Sequence, residues 1–171
     1  MGDDDDSALA AQITDLLTRF SKTGPKLYLM RGNRDFLLGS DFAQRVGASL
    51  LTDPTVIDLY GTPTLLMHGD SLCTEDTDYQ AFRKMAHDPA WQAELLAKSL
   101  PERQAIATHL RTVSKESGSN KAQDIMDVTP NEVTEQMRRF GVERLIHGHT
   151  HRPQRHDIGS GTRWVLGDWD T

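Results

Sequence analysis

Three short apolar runs in this chain each end directly in a polar, ligand-rich segment, and this repeated arrangement narrows the possible folds more than any other feature. Lys26-Leu27-Tyr28-Leu29-Met30 leads into Arg31-Gly32-Asn33-Arg34-Asp35. Thr64–Met67 leads into His68-Gly69-Asp70, and Arg144–Ile146 into His147-Gly148-His149-Thr150-His151. Runs of this length read as buried strands. Between them lie segments of helical period: Leu9, Ile13, Leu16, Leu17 and Phe20 make one stripe, closed by Gly24-Pro25. Strands alternating with helices predict an α/β fold, in which ligand sites gather beyond the carboxyl ends of the strands. Segments far apart in sequence can therefore meet at one site.

Further elements follow from local signals. A short helix is expected around Asp41–Val46, ended by Gly47, and then strands at Ala48–Leu51, Val56–Tyr60 and Thr64–Met67. The last two read as a hairpin about Gly61-Thr62-Pro63. Residues 79–126 change character, becoming helical and charged, with breaks at Pro89, Pro101 and Ser117-Gly118-Ser119-Asn120. Trp91 and Leu95, then Ile106, Leu110 and Val113, mark apolar faces, so this stretch reads as a helical insertion on the α/β core. Thr129-Pro130-Asn131-Glu132 predicts a capping box with proline in the first helical position, Val133, Met137 and Phe140 facing inward and Gly141 closing the helix. Trp164-Val165-Leu166 is the last expected strand, with core packing expected for Trp164 and Trp169.

Composition excludes several classes. With 171 residues the chain suits one domain, and 26% charged residues fit an ordinary globular protein. No apolar run is long enough to span a bilayer, and no secretory leader is visible. A single cysteine, Cys73, permits no internal disulfide and suits a reducing cytosol; it reads as a buried, inert thiol. A formal charge of −6 argues against a general nucleic-acid binder. Arg103, Arg111, Lys115 and Lys121 form a basic stretch that reads either as an anion-facing surface or as a solvated helix face.

The chemistry rests on a few side chains. His149 and His151, one residue apart after the glycine at 148, can both reach a metal cluster, although imidazole does not select one metal; a solvated histidine-rich loop is the alternative. His68 alone would read as structural, but its strand-end position matches that of His149 and makes it a candidate ligand. Asn33 offers a neutral carbonyl oxygen, or simple turn chemistry. Arg34 has the fork geometry for a phosphoryl group, or for an ion pair with Asp35.

In their order, Gly32-Asn33-Arg34-Asp35, His68-Gly69-Asp70 and Gly148-His149-Thr150-His151 resemble the last three motifs of the calcineurin-like metallophosphoesterases. Arg34, where many members carry histidine, together with Arg31–Leu38, His68–Cys73, Tyr79-Gln80-Ala81-Phe82-Arg83, Ser114-Lys115-Glu116 and Ile125-Met126-Asp127-Val128, is similar to the UDP-2,3-diacylglucosamine hydrolases. That resemblance implies an α/β/β/α sandwich with a helical lid over about 79–126, residues 1–171 forming one partial domain. It implies Asn33, His68, His149 and His151 as ligands of a two-manganese site, and Arg34 beside the reacting phosphate. Asp76, Ser114, Lys121 and His149 fall on substrate contacts, as do Asn33 and Arg34; Gly118 stands where the family has asparagine, so a contact there must come from backbone or from Asn120. Further implications are hydrolysis of UDP-2,3-diacylglucosamine to UMP and 2,3-diacylglucosamine 1-phosphate in lipid A synthesis, acyl chains received by the lid, and a cytoplasmic location peripheral to the inner membrane.

The family's opening Asp-x-His and Gly-Asp motifs are not found here, and the family continues beyond Asp170-Thr171. The expectation is a chain truncated at both ends that holds one manganese ion well at most, with Asp3–Asp6 a solvated charge run. Two other readings remain: a non-catalytic fragment that binds a metal or UDP-sugar, and a metallophosphoesterase for another phosphodiester.

Overall fold

The computed structural model describes residues 2–119, 125, 127–159 and 161–168, with the side chains of 115–119 left aside. Lys121 and Trp169 lie outside the described residues. The chain divides into two compact units, residues 1–51 with 84–117 and residues 52–83 with 118–171.

In the first unit, α1 (Ala8–Ser21) begins where the Ser7 hydroxyl accepts from the Ala10 N–H at 3.3 Å, an N-cap bond. The apolar stripe read from the sequence is present on this helix. β1 (Leu27–Met30) pairs in parallel with β2 (Ala48–Leu51), Leu27 opposite Ala48 and Met30 opposite Leu51, with α2 (Ser40–Arg45) between them in sequence. A parallel pair needs such a crossover, and α2 supplies it. α4 (Pro89–Leu96) and most of α5 (Leu100–Ser119) belong to this unit as well. Asp88 caps α4, its carboxylate accepting from the Ala90 and Trp91 N–H groups. α5 runs through Ser117 and Gly118, where a break was expected.

Of the aspartates expected to form a solvated charge run, Asp6 is exposed as expected, but Asp3, Asp4 and Asp5 are engaged by the fold. Asp3 accepts from the N–H groups of Gly39 (2.6 Å) and Asp41 (2.9 Å) at the start of α2. Asp4 makes a two-pronged ion pair with Arg103, and Asp5 accepts from the Ser7 N–H at 3.0 Å. The pairing with Arg103 holds the Asp4 carboxyl below its usual range. Arg103 is itself buried, so it belongs neither to an anion-facing surface nor to a solvated helix face. Four acidic side chains in a row look alike in sequence; backbone donors and a buried guanidinium distinguish them.

The second unit is built on a five-stranded sheet of order β3-β4-β5-β7-β6. β3 (Thr55–Leu59) and β4 (Thr62–Met67) form the expected hairpin, turning through Tyr60 and Gly61, both at positive φ. β4 pairs in parallel with β5 (Arg144–His147), and β5 with β7 (Thr162–Val165). β6 (Gln154–Asp157) runs antiparallel to β7. β6 was not expected, because Gln154-Arg155-His156-Asp157 carries no apolar alternation. It is an edge strand held by pairing rather than by burial.

The core packs Leu65, Met67, Leu72, Cys73, Val128, Val133, Met137, Val142 and Leu145 together. Val133 and Met137 come from α6 (Pro130–Phe140), with Pro130 in its first turn and Gly141 (φ 64°) ending it. The capping box does not form: the Thr129 hydroxyl lies 2.7 Å from that of Thr74, and makes no side-chain bond to the helix backbone. Trp164 is not a core residue. It is exposed, with the Arg155 guanidinium over its ring at 5.5 Å. Cys73 is buried as expected, and burial pushes its thiol up to about 12. Among the described residues, no helix is long and apolar enough to cross a membrane.

Candidate active site

The register of the sheet explains why two histidines meet. Met67 at the end of β4 is level with His147 at the end of β5. The next residues, His68 and Gly148, therefore leave the sheet side by side, and the Gly148 N–H donates to the His68 carbonyl at 3.0 Å. The His68 and His149 rings then approach to 5.0 Å between centroids in an edge-to-face arrangement. Gly69, at φ 110°, allows the crossing: a Cβ there would fall 2.8 Å from His147 Nδ1.

The loop after β5 is strained. His149 and His151 both adopt positive φ, 65° and 52°, which is uncommon outside glycine and is found disproportionately at functional sites. The Thr150 N–H donates to the Gly148 carbonyl at 2.8 Å and tightens the turn. His147 has a different role from its two neighbours. It is fully buried and neutral, donating from Nδ1 to the Gly148 carbonyl and accepting at Nε2 from Arg163, and burial pushes it down to about 4. It props the strand end from beneath.

His149 is also pushed down to about 4, first by burial and then by the neighbouring His68. A neutral imidazole with free lone-pair chemistry at neutral pH is the form that binds a metal or moves a proton. His151 is half-exposed, its Nδ1 3.7 Å from Asp168.

Close to the pair sits Asp70, the last residue of the His68-Gly69-Asp70 motif. It is 2% exposed. Burial works to raise its carboxyl, but Arg83, His68 and His149 together hold it below the usual range. Arg83 Nε lies 3.0 Å away as an off-axis ion pair, and the Tyr79 hydroxyl donates at 3.0 Å. Asp53 adds a second carboxyl near Asp70. Burial and the Asp70 charge raise it to about 6, while the His68 N–H bond pulls the other way.

The remaining expected residues are distributed as follows. Asp76 caps α3 (Thr77–Ala86), accepting from the Tyr79 N–H at 3.0 Å. Asn33 and Arg34 follow β1 in the first unit, in a turn where the Gly32 N–H donates to Asp35. That bond uses Asp35, and no ion pair to Arg34 forms among the described residues. Ser114 is exposed on α5, and Gly118 lies in its last turn. The structure thus unites His68, His149, Asp70, Tyr79 and Arg83 in the second unit. Of these, Asp70, Tyr79 and Arg83 were not singled out; the available signal was a Tyr–Arg pair at i, i+4 following a strand-end aspartate.

Among the described residues, no group of three or more His, Cys, Asp or Glu side chains is placed to hold a metal ion. The His68–His149 pair offers two imidazole donors, short of the roughly four or more a divalent ion takes. The donor chemistry suits a metal, but the set is incomplete.

The sequence model of the calcineurin-like phosphoesterases matches residues 1–153. Proteins named UDP-2,3-diacylglucosamine hydrolase align over 99% of this chain: that of Cellvibrio japonicus at 53% identity, covering 72% of its own length, and that of Marinobacter nauticus at 50%, covering 71%. The Chromobacterium violaceum protein of the same name is 51% identical, with 71% of its length covered. The chain is accordingly a calcineurin-like phosphoesterase and belongs, within that class, to the UDP-2,3-diacylglucosamine hydrolase family. Its enzyme class is hydrolase, and metallophosphoesterases work with divalent metal ions.

Proposed function

We propose that this chain hydrolyses the diphosphate of UDP-2,3-diacylglucosamine, yielding UMP and 2,3-diacylglucosamine 1-phosphate for lipid A synthesis. The observation that carries this reading is the meeting of His68 and His149 at level strand ends, in a chain about half identical to hydrolases of that name. Asn33, His68, His149 and His151 are the proposed metal-ligating residues, with manganese as the ion.

The chain's own groups have definite tasks. Arg34 offsets negative charge at the reacting phosphorus, which a guanidinium fork does well. His149, neutral near pH 7, holds the metal through one nitrogen and orients the substrate by donating from the other. Asp76, Ser114, Gly118 and Lys121 contact the substrate, with Asp76 acting from the cap of α3. The helices within 79–126 receive the acyl chains, and the protein works at the cytoplasmic face of the inner membrane.

The test is UMP release by the purified 171-residue chain with manganese present. His149→Ala should lower kcat/KM by about a hundredfold or more, on the scale of a lost hydrogen-bond donor at the reacting group. UMP release that survives this change would remove His149 from the site. No release from the unaltered chain would make it a binder of metal or UDP-sugar, and turnover of other phosphodiesters alone would reassign the substrate.

A further inference from the structure

The Tyr79 ring lies 5.1 Å from that of His149, tilted by 45°, on the same imidazole that meets His68. A phenylalanine would pack equally well there, so the hydroxyl needs its own explanation. It donates to Asp70 Oδ2, and Asp70 holds α3 at two further points: Arg83 Nε lies by its other oxygen, and Gln80 Nε2 donates to its carbonyl at 2.8 Å. Tyr79, Gln80 and Arg83 stand at i, i+1 and i+4, so one face of α3 is fastened to the turn that follows β4. Asp76 caps the same helix from below.

The direction of the His149 ring depends on the rings packed against it, Tyr79 and His68. His149 occupies a left-handed conformation in a loop, with the strand already ended. We propose that Asp70 is a positioning residue for His149, acting through Tyr79: the buried carboxylate fixes the plane of the phenol ring, and the ring fixes the direction of the imidazole. A charge-assisted hydrogen bond in a buried setting is strong and directional enough for this. The inference rests on the proposed reading in one respect only, that His149 acts in the reaction.

Histidine-labelled NMR of the whole chain, without added metal, tests the geometry independently of turnover. The His149 ring resonance is assigned by its loss in His149→Gln. Tyr79→Leu removes the ring current and sets the fully released position. Tyr79→Phe keeps the ring and deletes one oxygen; its His149 resonance should move most of the way to the Leu position. Asp70→Asn keeps an acceptor but loses the charge, and should give an intermediate position. His147, held by Arg163 and Gly148, should stay in place throughout and reports the fold.

A His149 resonance at its original position in Tyr79→Phe overturns the proposal. If Asp70→Asn loses the His147 signal through misfolding, Tyr79→Phe alone decides. In turnover, Tyr79→Phe should lower kcat about tenfold with KM unchanged; a shifted resonance with kcat intact also overturns the positioning role. If the unaltered chain releases no UMP, the hydrolase reading fails, while the NMR result still decides whether Asp70 positions the ring.

Discussion

The two units of this chain are held together by different means. The second encloses nine mutually packed apolar residues between the sheet and α6, with Leu65, Leu72 and Leu145 fully buried. The first buries little that is apolar: Ala43, Val46, Ala86 and Leu95. Its α1 leaves Leu9 65% and Leu16 58% exposed, with Phe20 and Ile13 also exposed, and its sheet has two strands. What fixes it is largely polar, from Asp3 on α2 to Asp4 on Arg103. The histidine pair sits on the unit with the apolar core. A site that must hold rings at set distances needs a rigid base, and close packing provides one.

Core truncation should show this difference most strongly. Leu145→Ala, in the middle of the sheet, should cost about 2–5 kcal/mol, the range for emptying a packed leucine site. Leu16→Ala on α1 should change stability by less than about 0.5 kcal/mol. Urea denaturation of both variants checks this, and equal losses would break the comparison.

Acidification should also act on the second unit. His147 and His149 are held near 4 when folded, against about 6.5 in an open chain, so each binds a proton on unfolding between those values. Stability from these two is complete above about pH 6.5 and falls as pH drops toward 4. Asp53 has the opposite sign. Raised to about 6, it is protonated in the fold and releases its proton on unfolding between about 4 and 6. Two protons taken up against one released leaves a net uptake of one. The slope should be about 1.4 kcal/mol lost per pH unit between pH 6 and 4. In Asp53→Asn the slope should steepen toward two protons, read by denaturation midpoints at several pH values.

Asp4→Asn addresses the polar attachment in the first unit. It leaves the Arg103 guanidinium buried without its carboxylate, although Asp4 itself is mostly exposed and its contribution is screened. A loss of about 1 kcal/mol is expected. Hydrogen exchange should report it in α5 and α2 rather than in β4 or β5.

The same contrast shows which parts of the molecule the sequence made legible. Strand ends running into Asn33, His68 and His149 were readable because a buried strand and a polar terminus each leave a local signature. The meeting of His68 and His149 then followed from parallel strands ending level. The role of Asp70 was only faintly readable: its partners Tyr79 and Arg83 stand nine and thirteen residues on, in α3, and their i, i+4 spacing is the one hint that the aspartate is more than a turn residue. Arg103 and Trp164 failed for the converse reason. Residue type set the expectation of exposure for one and burial for the other, and a specific partner, Asp4 or Arg155, decided otherwise. For α1, periodicity showed that the helix has an apolar face but carried no information on whether that face is buried.

That face gives the smallest expected change in stability. Leu9, Ile13, Leu16 and Phe20 lie along one side of α1, and exposed apolar stripes of this kind bind hydrophobic dyes and promote association. Leu16→Glu should keep stability within about 0.5 kcal/mol, since the side chain already meets water and glutamate is a good helix former. It should still lower dye fluorescence and raise the concentration at which the chain begins to associate. Val133→Glu, on the buried face of α6, makes the opposite case: a charge forced among Met137, Leu145 and their neighbours should unfold the second unit. If Leu16→Glu proved as damaging as Val133→Glu, the face of α1 would be structural, and the first unit would rest on apolar packing after all.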